Sequence, residues 1–226
     1  MKVQAILPTA GAGSRFKSTL PKPLVSLGGK PIFIHALEAL EQSIAIDSVI
    51  LVAPESHLKE FEKVLKQYDL HRSTKVVAGG KTRFESVSNG LKALDKDTEI
   101  VLVHDGARPL VTTKIIDEAI NLCHNEPAVI VAVPVKPTIK RVNIKLEVKE
   151  TLRRDELWEV QTPQVFKKDI LLKAHEEGRG LDVTDDAALV ERLGIKVKVV
   201  MGDYRNIKIT TKEDLVIAEA LLTLNN

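Results

Sequence analysis

Short runs of apolar, largely β-branched residues alternate with amphipathic stretches almost from one end of the chain to the other. Strands are predicted at Val3–Leu7, Ser48–Val52, Lys75–Ala78, Ile100–Val103, Val129–Val133, Lys196–Val200 and Asn206–Ile209. Helices are predicted at Ile32–Gln42, His57–Gln67, Arg83–Leu94, Thr113–Cys123, Lys168–Glu176, Asp185–Leu193 and Glu213–Leu222. The early strands are continuously apolar, as expected where helices cover both faces of a parallel sheet. This alternation predicts an α/β fold, doubly wound about a mostly parallel, Rossmann-like sheet. Glycines and prolines mark junctions without gathering into a linker, so residues 1–226 read as one domain.

One segment departs from the pattern. Between Pro134 and Trp158, Val142, Ile144, Leu146 and Val148 alternate with Asn143, Lys145, Glu147 and Lys149, a period of two with one polar face. Residues 134–158 therefore predict a β-excursion from the sheet, as one long strand or as a hairpin of Thr138–Val142 and Leu146–Leu152 turning near Asn143. An isolated two-stranded arm is marginal in water, so it is expected to pack on another surface, and a second subunit is the obvious candidate. Trp158 is expected to pack in the core at the base of the arm.

Composition narrows the function classes. The chain has 226 residues, and 33 Lys and Arg against 31 Asp and Glu leave a net charge of +2, which argues against broad nucleic-acid binding. Cys123 is the only cysteine, which excludes an intrachain disulfide and a cysteine zinc cluster and suits a reducing cytoplasm. At the end of a helix, it reads as a small buried hydrophobe. Val3–Leu7 is too short for the apolar stretch of a signal peptide, and no apolar run approaches the ~18–20 residues that span a bilayer.

Candidate chemistry lies in the loops. The first strand runs into Thr9-Ala10-Gly11-Ala12-Gly13-Ser14-Arg15-Phe16 and then Leu20-Pro21-Lys22-Pro23-Leu24. Small residues let backbone N–H groups approach a phosphate or a base, while Arg15 and Lys22 supply the charge a triphosphate demands. A dinucleotide fingerprint is excluded, because Phe16 replaces its third glycine and no helix follows directly. Lys22 lacks the Ser or Thr that follows a P-loop lysine. Ser14-x-x-Lys17 has none of the companions of a penicillin-recognising site.

After the strand Ile100–Val103 comes His104-Asp105-Gly106-Ala107-Arg108-Pro109, which places Asp105 beyond a carboxyl strand end, where open α/β sheets bind ligands. One carboxylate suits Mg²⁺ when phosphate oxygens and waters complete its octahedron; the alternative is a turn aspartate with Arg108 as its salt partner. Gly79-Gly80-Lys81-Thr82-Arg83, leading to Ser86, reads either as an anion or base-edge pocket or as plain turn chemistry. Thr184 is a plausible N-cap, and Lys208 could be a solvated strand-edge lysine. No HExxH or other close histidine pair supports a zinc site.

Taken in order, these motifs resemble the polyol-phosphate cytidylyltransferases, most closely the family that acts on 2-C-methyl-D-erythritol 4-phosphate in non-mevalonate isoprenoid biosynthesis. The resemblance runs through Pro8–Arg15, Pro21-Lys22, Gly79-Gly80-x-x-Arg83-x-x-Ser86-Val87, Val103-His104-Asp105-x-Ala107-Arg108-Pro109 and Thr138-x-Lys140-Arg141. It continues through Arg154-x-x-Leu157-Trp158, Thr162-Pro163-Gln164, Thr184-Asp185 and Asn206–Thr210. Pro23 stands where the family usually has Gln, Thr9 and Gly106 replace common alanines, and Lys81 occupies a frequently acidic position.

The resemblance implies CTP and a polyol phosphate reacting with Mg²⁺ to give a CDP-polyol and pyrophosphate. It implies that Arg15, Lys22 and Lys208 act on the phosphates, that Gly11, Gly80 and Ser86 frame cytosine and ribose, and that Asp105 holds the metal. Arg108, Thr138, Arg154, Thr162 and Thr184 would line the polyol-phosphate side, in a homodimer whose arm crosses to its partner. The nearest alternative is a ribitol-5-phosphate cytidylyltransferase; one of another class is a catalytically silent nucleotide-binding regulatory domain, against which Lys22, Asp105 and Lys208 speak.

Overall fold

A computed structural model describes residues 1–10, 16, 21–68, 70, 74–181 and 183–224. The elements run β1 (Lys2–Pro8), β2 (Ser26–Leu27), β3 (Lys30–Pro31), α1 (Ile32–Gln42), β4 (Ser48–Ala53), α2 (Leu58–Gln67), β5 (Thr74–Ala78), α3 (Arg83–Lys92), β6 (Thr98–Val103) and α4 (Thr113–Cys123). They continue β7 (Ala128–Pro134), β8 (Lys140–Val142), β9 (Val148–Thr151), β10 (Trp158–Lys167), α5 (Lys168–Glu177), α6 (Asp186–Arg192), β11 (Lys198–Met201) and α7 (Lys212–Thr223). Seven strands form one sheet in the order β11-β7-β10-β6-β1-β4-β5. All its pairings are parallel except those of β10, which runs antiparallel between β6 and β7.

The period of two sorts side chains between two cores. Val3, Ala5 and Leu7 of β1, Val49 and Leu51 of β4, and Ile100 and Leu102 of β6 meet α1, α4 and Phe61 of α2 on one face. Ile6, Ile50, Val52, Val101 and Val103 meet α3, α5 and α6 on the other. A strand buried on both faces has no polar side to show, which is why these runs are continuously apolar. A smaller cluster joins Phe16, Leu27 and Ile32 to Ile209 and Ala218, docking α7 over the β2–β3 turn.

Cys123 is fully buried, and burial pushes its thiol up to about 11. Against an ordinary thiol near 9.0, this leaves roughly 100-fold less thiolate, the reactive form, at a given pH. Labelling of Cys123 by an aromatic disulfide at pH 8 is therefore expected to be at least that much slower in native than in urea-unfolded protein; equal rates would contradict this placement.

Three sequence expectations change, and one of the two readings of the excursion holds. The strand expected at Asn206–Ile209 is an irregular strap, because its backbone bonds to scattered carbonyls: Ile209 N donates to Ala107 O at 2.8 Å, in place of a ladder. Strand β10 replaces an unassigned stretch. The excursion is a hairpin, with Arg141 opposite Glu150 and a turn in which Asn143 N donates to Glu147 O. Trp158 lies at its base but is 40% exposed, since β10 begins beyond the covered part of the sheet.

Candidate active site

The polar groups converge at the carboxyl ends of β1, β5, β6 and β11. Asp105 follows β6, and its backbone N–H donates to Thr162 Oγ1 at 3.0 Å. Thr162 can face the site because β10 shifts register between Gln161 and Gln164, so that Thr162 and Pro163 stand out of the ladder with β7. Thr162 Oγ1 also lies 3.0 Å from His104 Nδ1, while His104 Nε2 lies 3.1 Å from Arg108 O. Burial lowers His104 to about 4, so the ring is neutral at pH 7. A carbonyl can only accept, which makes Nε2 the donor and leaves Nδ1 to accept from the threonine hydroxyl.

Asp105 is the electrostatic centre. Its Oδ1 accepts from Arg83 Nε at 3.2 Å and its Oδ2 meets Lys208 Nζ at 2.6 Å. Burial opposes its charge, but Arg83 and Lys208 outweigh that and hold the carboxyl well below the usual range. Arg108 is not its salt partner. It donates from Nη1 to Asn206 O at 2.6 Å and from Nη2 to Val160 O at 3.3 Å, tying the strap to β10. Among the described residues, Arg108 Nε and Asn206 Oδ1 are buried without a partner. Asn206 Nδ2 in turn donates to Gln161 Oε1 and Thr162 O. Lys22 reaches the same strap, donating from Nζ to Ile209 O at 2.7 Å. The structure thus gathers Lys22, Asp105, Arg108, Thr162 and Lys208 around one strap, although Lys22 and Ile209 are 187 positions apart in sequence.

The Gly79–Gly80 turn follows β5, with Gly79 N donating to Ala53 O at the end of β4 at 2.8 Å. Gly80 N donates to Ser86 Oγ at 3.1 Å, and Ser86 Oγ donates to Thr82 O at 2.9 Å. Thr82 and Glu85 form a reciprocal capping box that starts α3. A Cβ on Gly80 would lie 2.2 Å from Glu85 Cβ and 2.7 Å from Glu85 Oε2. Gly80→Ala is therefore expected to cost about 1–3 kcal/mol in urea unfolding, as for other overpacked sites. It should also raise KM for the nucleotide; unchanged values of both would dissociate the turn from the site.

Gly11 and Arg15 lie outside the described residues. Thr138 and Arg154 sit exposed on the arm, with Arg154 Nη1 donating to Lys136 O at 2.9 Å, and no hydrogen bond or ion pair among the described residues joins them to Asp105. Thr184 is exposed and is not the cap of α6. Asp185 takes that place, accepting from Ala188 N at 3.1 Å, and is itself held by Gln164 Nε2 at 2.7 Å. Among the described residues no cluster of three or more His, Cys, Asp or Glu could hold a metal by itself. The donor set on offer is the single carboxylate of Asp105, which fits Mg²⁺ only where a ligand's phosphates and water complete the shell.

Two charged residues of the cluster stand out only in the structure, Arg83 in the first turn of α3 and Asp186 at the start of α6. Arg83 Nη1 donates to Asp186 Oδ2 at 2.7 Å. A signal for Arg83 existed, since a cation in the first turn of a helix opposes the macrodipole and needs a carboxylate partner.

An open α/β sheet with a glycine turn, clustered Lys and Arg, and an acidic side chain at its carboxyl strand ends is built to hold a phosphorylated ligand, as a nucleotidyltransferase does. The family model "IspD: 2-C-methyl-D-erythritol 4-phosphate cytidylyltransferase" matches residues 3–224, and the chain belongs to that family. It is 48% identical over 224 residues to the 2-C-methyl-D-erythritol 4-phosphate cytidylyltransferase of Alkaliphilus metalliredigens, covering 98% of this chain and 93% of that one. The Caldanaerobacter subterraneus protein of the same name is 45% identical, over 98% and 99% of the two chains. Among solved structures, 4-diphosphocytidyl-2C-methyl-D-erythritol synthase from Anaerococcus prevotii superposes with a TM-score of 0.89 at 36% identity, over 98% and 96% of the chains. No helix among the described residues is long and apolar enough to cross a membrane.

Proposed function

We propose that this protein transfers CMP from CTP to 2-C-methyl-D-erythritol 4-phosphate, releasing pyrophosphate. The observation that carries the reading is the convergence of Lys22, Arg83, Asp105 and Lys208 at the carboxyl strand ends, in a chain of this family. The acceptor is already a phosphate monoester, so no general base has to create a nucleophile, and positioning two anions that repel each other is the main obstacle. Two unit charges 4 Å apart repel by about 4 kcal/mol at an effective dielectric of 20. Lys22 and Lys208, on opposite ends of the chain but one strap, offer the charge to offset it, and Arg15 belongs with them by its place in the first loop.

An acceptor phosphate oxygen attacks the α-phosphorus, and the bond to the β-phosphate bridging oxygen breaks. Asp105 would hold Mg²⁺, whose contribution is to neutralise phosphate charge. Gly11, Gly80 and Ser86 would frame the nucleoside. Arg108, whose Nε lacks a partner among the described residues, and Thr162 would face the acceptor, and Thr184, on the approach to α6, would join them there.

The arm supports a homodimer. Ile144 is wholly exposed, Leu146 is 84% exposed, and Val142 and Val148 are about half exposed on a hairpin with no core beneath it. Apolar side chains so placed call for cover, and a twofold partner would bury both arms by one repeated contact. In such a dimer Thr138 and Arg154 would reach the acceptor of the neighbouring subunit.

The test of the acceptor is kinetic. For 2-C-methyl-D-erythritol 4-phosphate, kcat/KM is expected to exceed that for ribitol 5-phosphate by more than ~10-fold, about 1.4 kcal/mol in transition-state binding. Equal efficiencies, or a preference for ribitol 5-phosphate, would overturn the acceptor while leaving nucleotidyl transfer intact.

A further inference from the structure

Beyond Arg83 lies a second buried carboxylate that none of these roles uses. Asp186 opens α6 and is 1% exposed. One oxygen takes Arg83 Nη1 at 2.7 Å, and the other lies 2.9 Å from His175 Nε2 on α5. His175 Nδ1 lies 2.9 Å from Ser88 Oγ, and Phe84 stacks on the ring with centroids 4.7 Å apart. Arg83, Phe84 and Ser88 all belong to α3, so the path leaves that helix through the guanidinium and returns to it through the imidazole. The order Ser88, His175, Asp186 mimics a hydrolytic triad, yet the aspartate is committed to an arginine and the path ends on Asp105.

We propose that Asp186, oriented by His175, is a positioning residue that holds the Arg83 guanidinium so that Asp105 receives its Nε–H and keeps Oδ2 for Lys208. Two carboxylates and two cations balance as the cluster stands. Without the charge on Asp186, Asp105 alone faces both cations, and Arg83 is free to take both of its oxygens in the bidentate fork that guanidinium and carboxylate favour. Lys208 would then lose its anchor. The inference deepens the proposed reaction and, for its kinetic arm, rests on it.

Asp186→Asn preserves shape and removes charge. It is expected to lower kcat about 10-fold while leaving KM for CTP and for the acceptor within about 2-fold, because Asp186 is placed at neither substrate. In the substrate-free protein, the ¹H–¹⁵N signal of Arg83 Nε should move. His175→Gln, which can still donate near the Nε2 position, should retain most of the turnover and the wild-type Arg83 signal. His175→Leu, which fills the space without donating, should resemble Asp186→Asn.

Wild-type kcat and an unmoved Arg83 signal in Asp186→Asn would overturn the proposal, as would a rise in KM alone. Equal behaviour of the Leu and Gln variants would reduce His175 to packing and overturn its part. If Asp186→Asn fails to fold, the His175 pair still decides, since both keep the carboxylate. A wild-type protein that does not turn over would sink the proposed reaction, whereas the Arg83 signal would still report the clamp.

Discussion

Lys22→Ala is expected to lower turnover at saturating CTP by roughly 10²–10³, the usual scale for losing one group that stabilises charge developing in a transition state. Lys22 lies in the loop that follows β1, and its ammonium is fixed on the carbonyl of Ile209, one residue from Lys208. That anchor presets the charge before substrate arrives, so little reorganisation is left for the moment of reaction. CTP binding should suffer less, because in the proposed site several donors would share the triphosphate while Lys22 would act where charge grows. Steady-state kinetics separates the two: a lower kcat with KM for CTP changed only a few-fold fits the role, and a near-normal kcat would remove Lys22 from the chemistry.

With the acceptor held well below the KM of Arg154→Ala, mixing two disabled variants should restore activity from near background towards half the wild-type value per heterodimer. The variants are Lys22→Ala and Arg154→Ala, co-refolded. Arg154 stands exposed on the arm, where its visible contact is with Lys136 O. A charge-assisted contact to an existing phosphate binds ground and transition states alike, so Arg154→Ala alone should chiefly raise KM for the acceptor. If each arm completes the neighbouring site, a heterodimer gathers both lesions into one site and leaves the other whole. If each arm serves its own subunit, every site keeps one lesion. No recovery in verified heterodimers would rule out sites shared across the dimer.

The parallel half of the sheet was legible in the sequence because burial on both faces leaves continuous apolar runs, as in Ser48–Ala53 and Ala128–Pro134. Helices α1 and α4 fell at their predicted limits, where period and neighbouring breakers agree. Strand β10 escaped for the reason that makes it useful. Gln161, Thr162 and Gln164 are buried polar residues turned to the strap, to Asp105 and to Asp185, and Pro163 sits at the register shift, so the stretch has the composition of a loop. The strap failed in the opposite sense. Ile207 and Ile209 alternate like strand residues, yet they pack with the α7 cluster and not in a sheet.

Asp105 and Lys208 were legible as candidates from their places after predicted strands, but their ion pair was not. Neither was that of Arg83 with Asp186, 103 positions away, because local periodicity says nothing about which helix N-termini the sheet brings together. The cap of α6 is Asp185, one residue beyond Thr184; it accepts from Ala188 N while Gln164 of β10 holds its other oxygen.

Pyrophosphate release decides whether this chain carries out the transfer. With CTP, 2-C-methyl-D-erythritol 4-phosphate and Mg²⁺ together, the protein should release pyrophosphate in step with a CDP-polyol seen by mass spectrometry, and omission of either substrate or addition of EDTA should abolish both. Release from CTP alone, full turnover in EDTA, or no release with all components present would contradict the account.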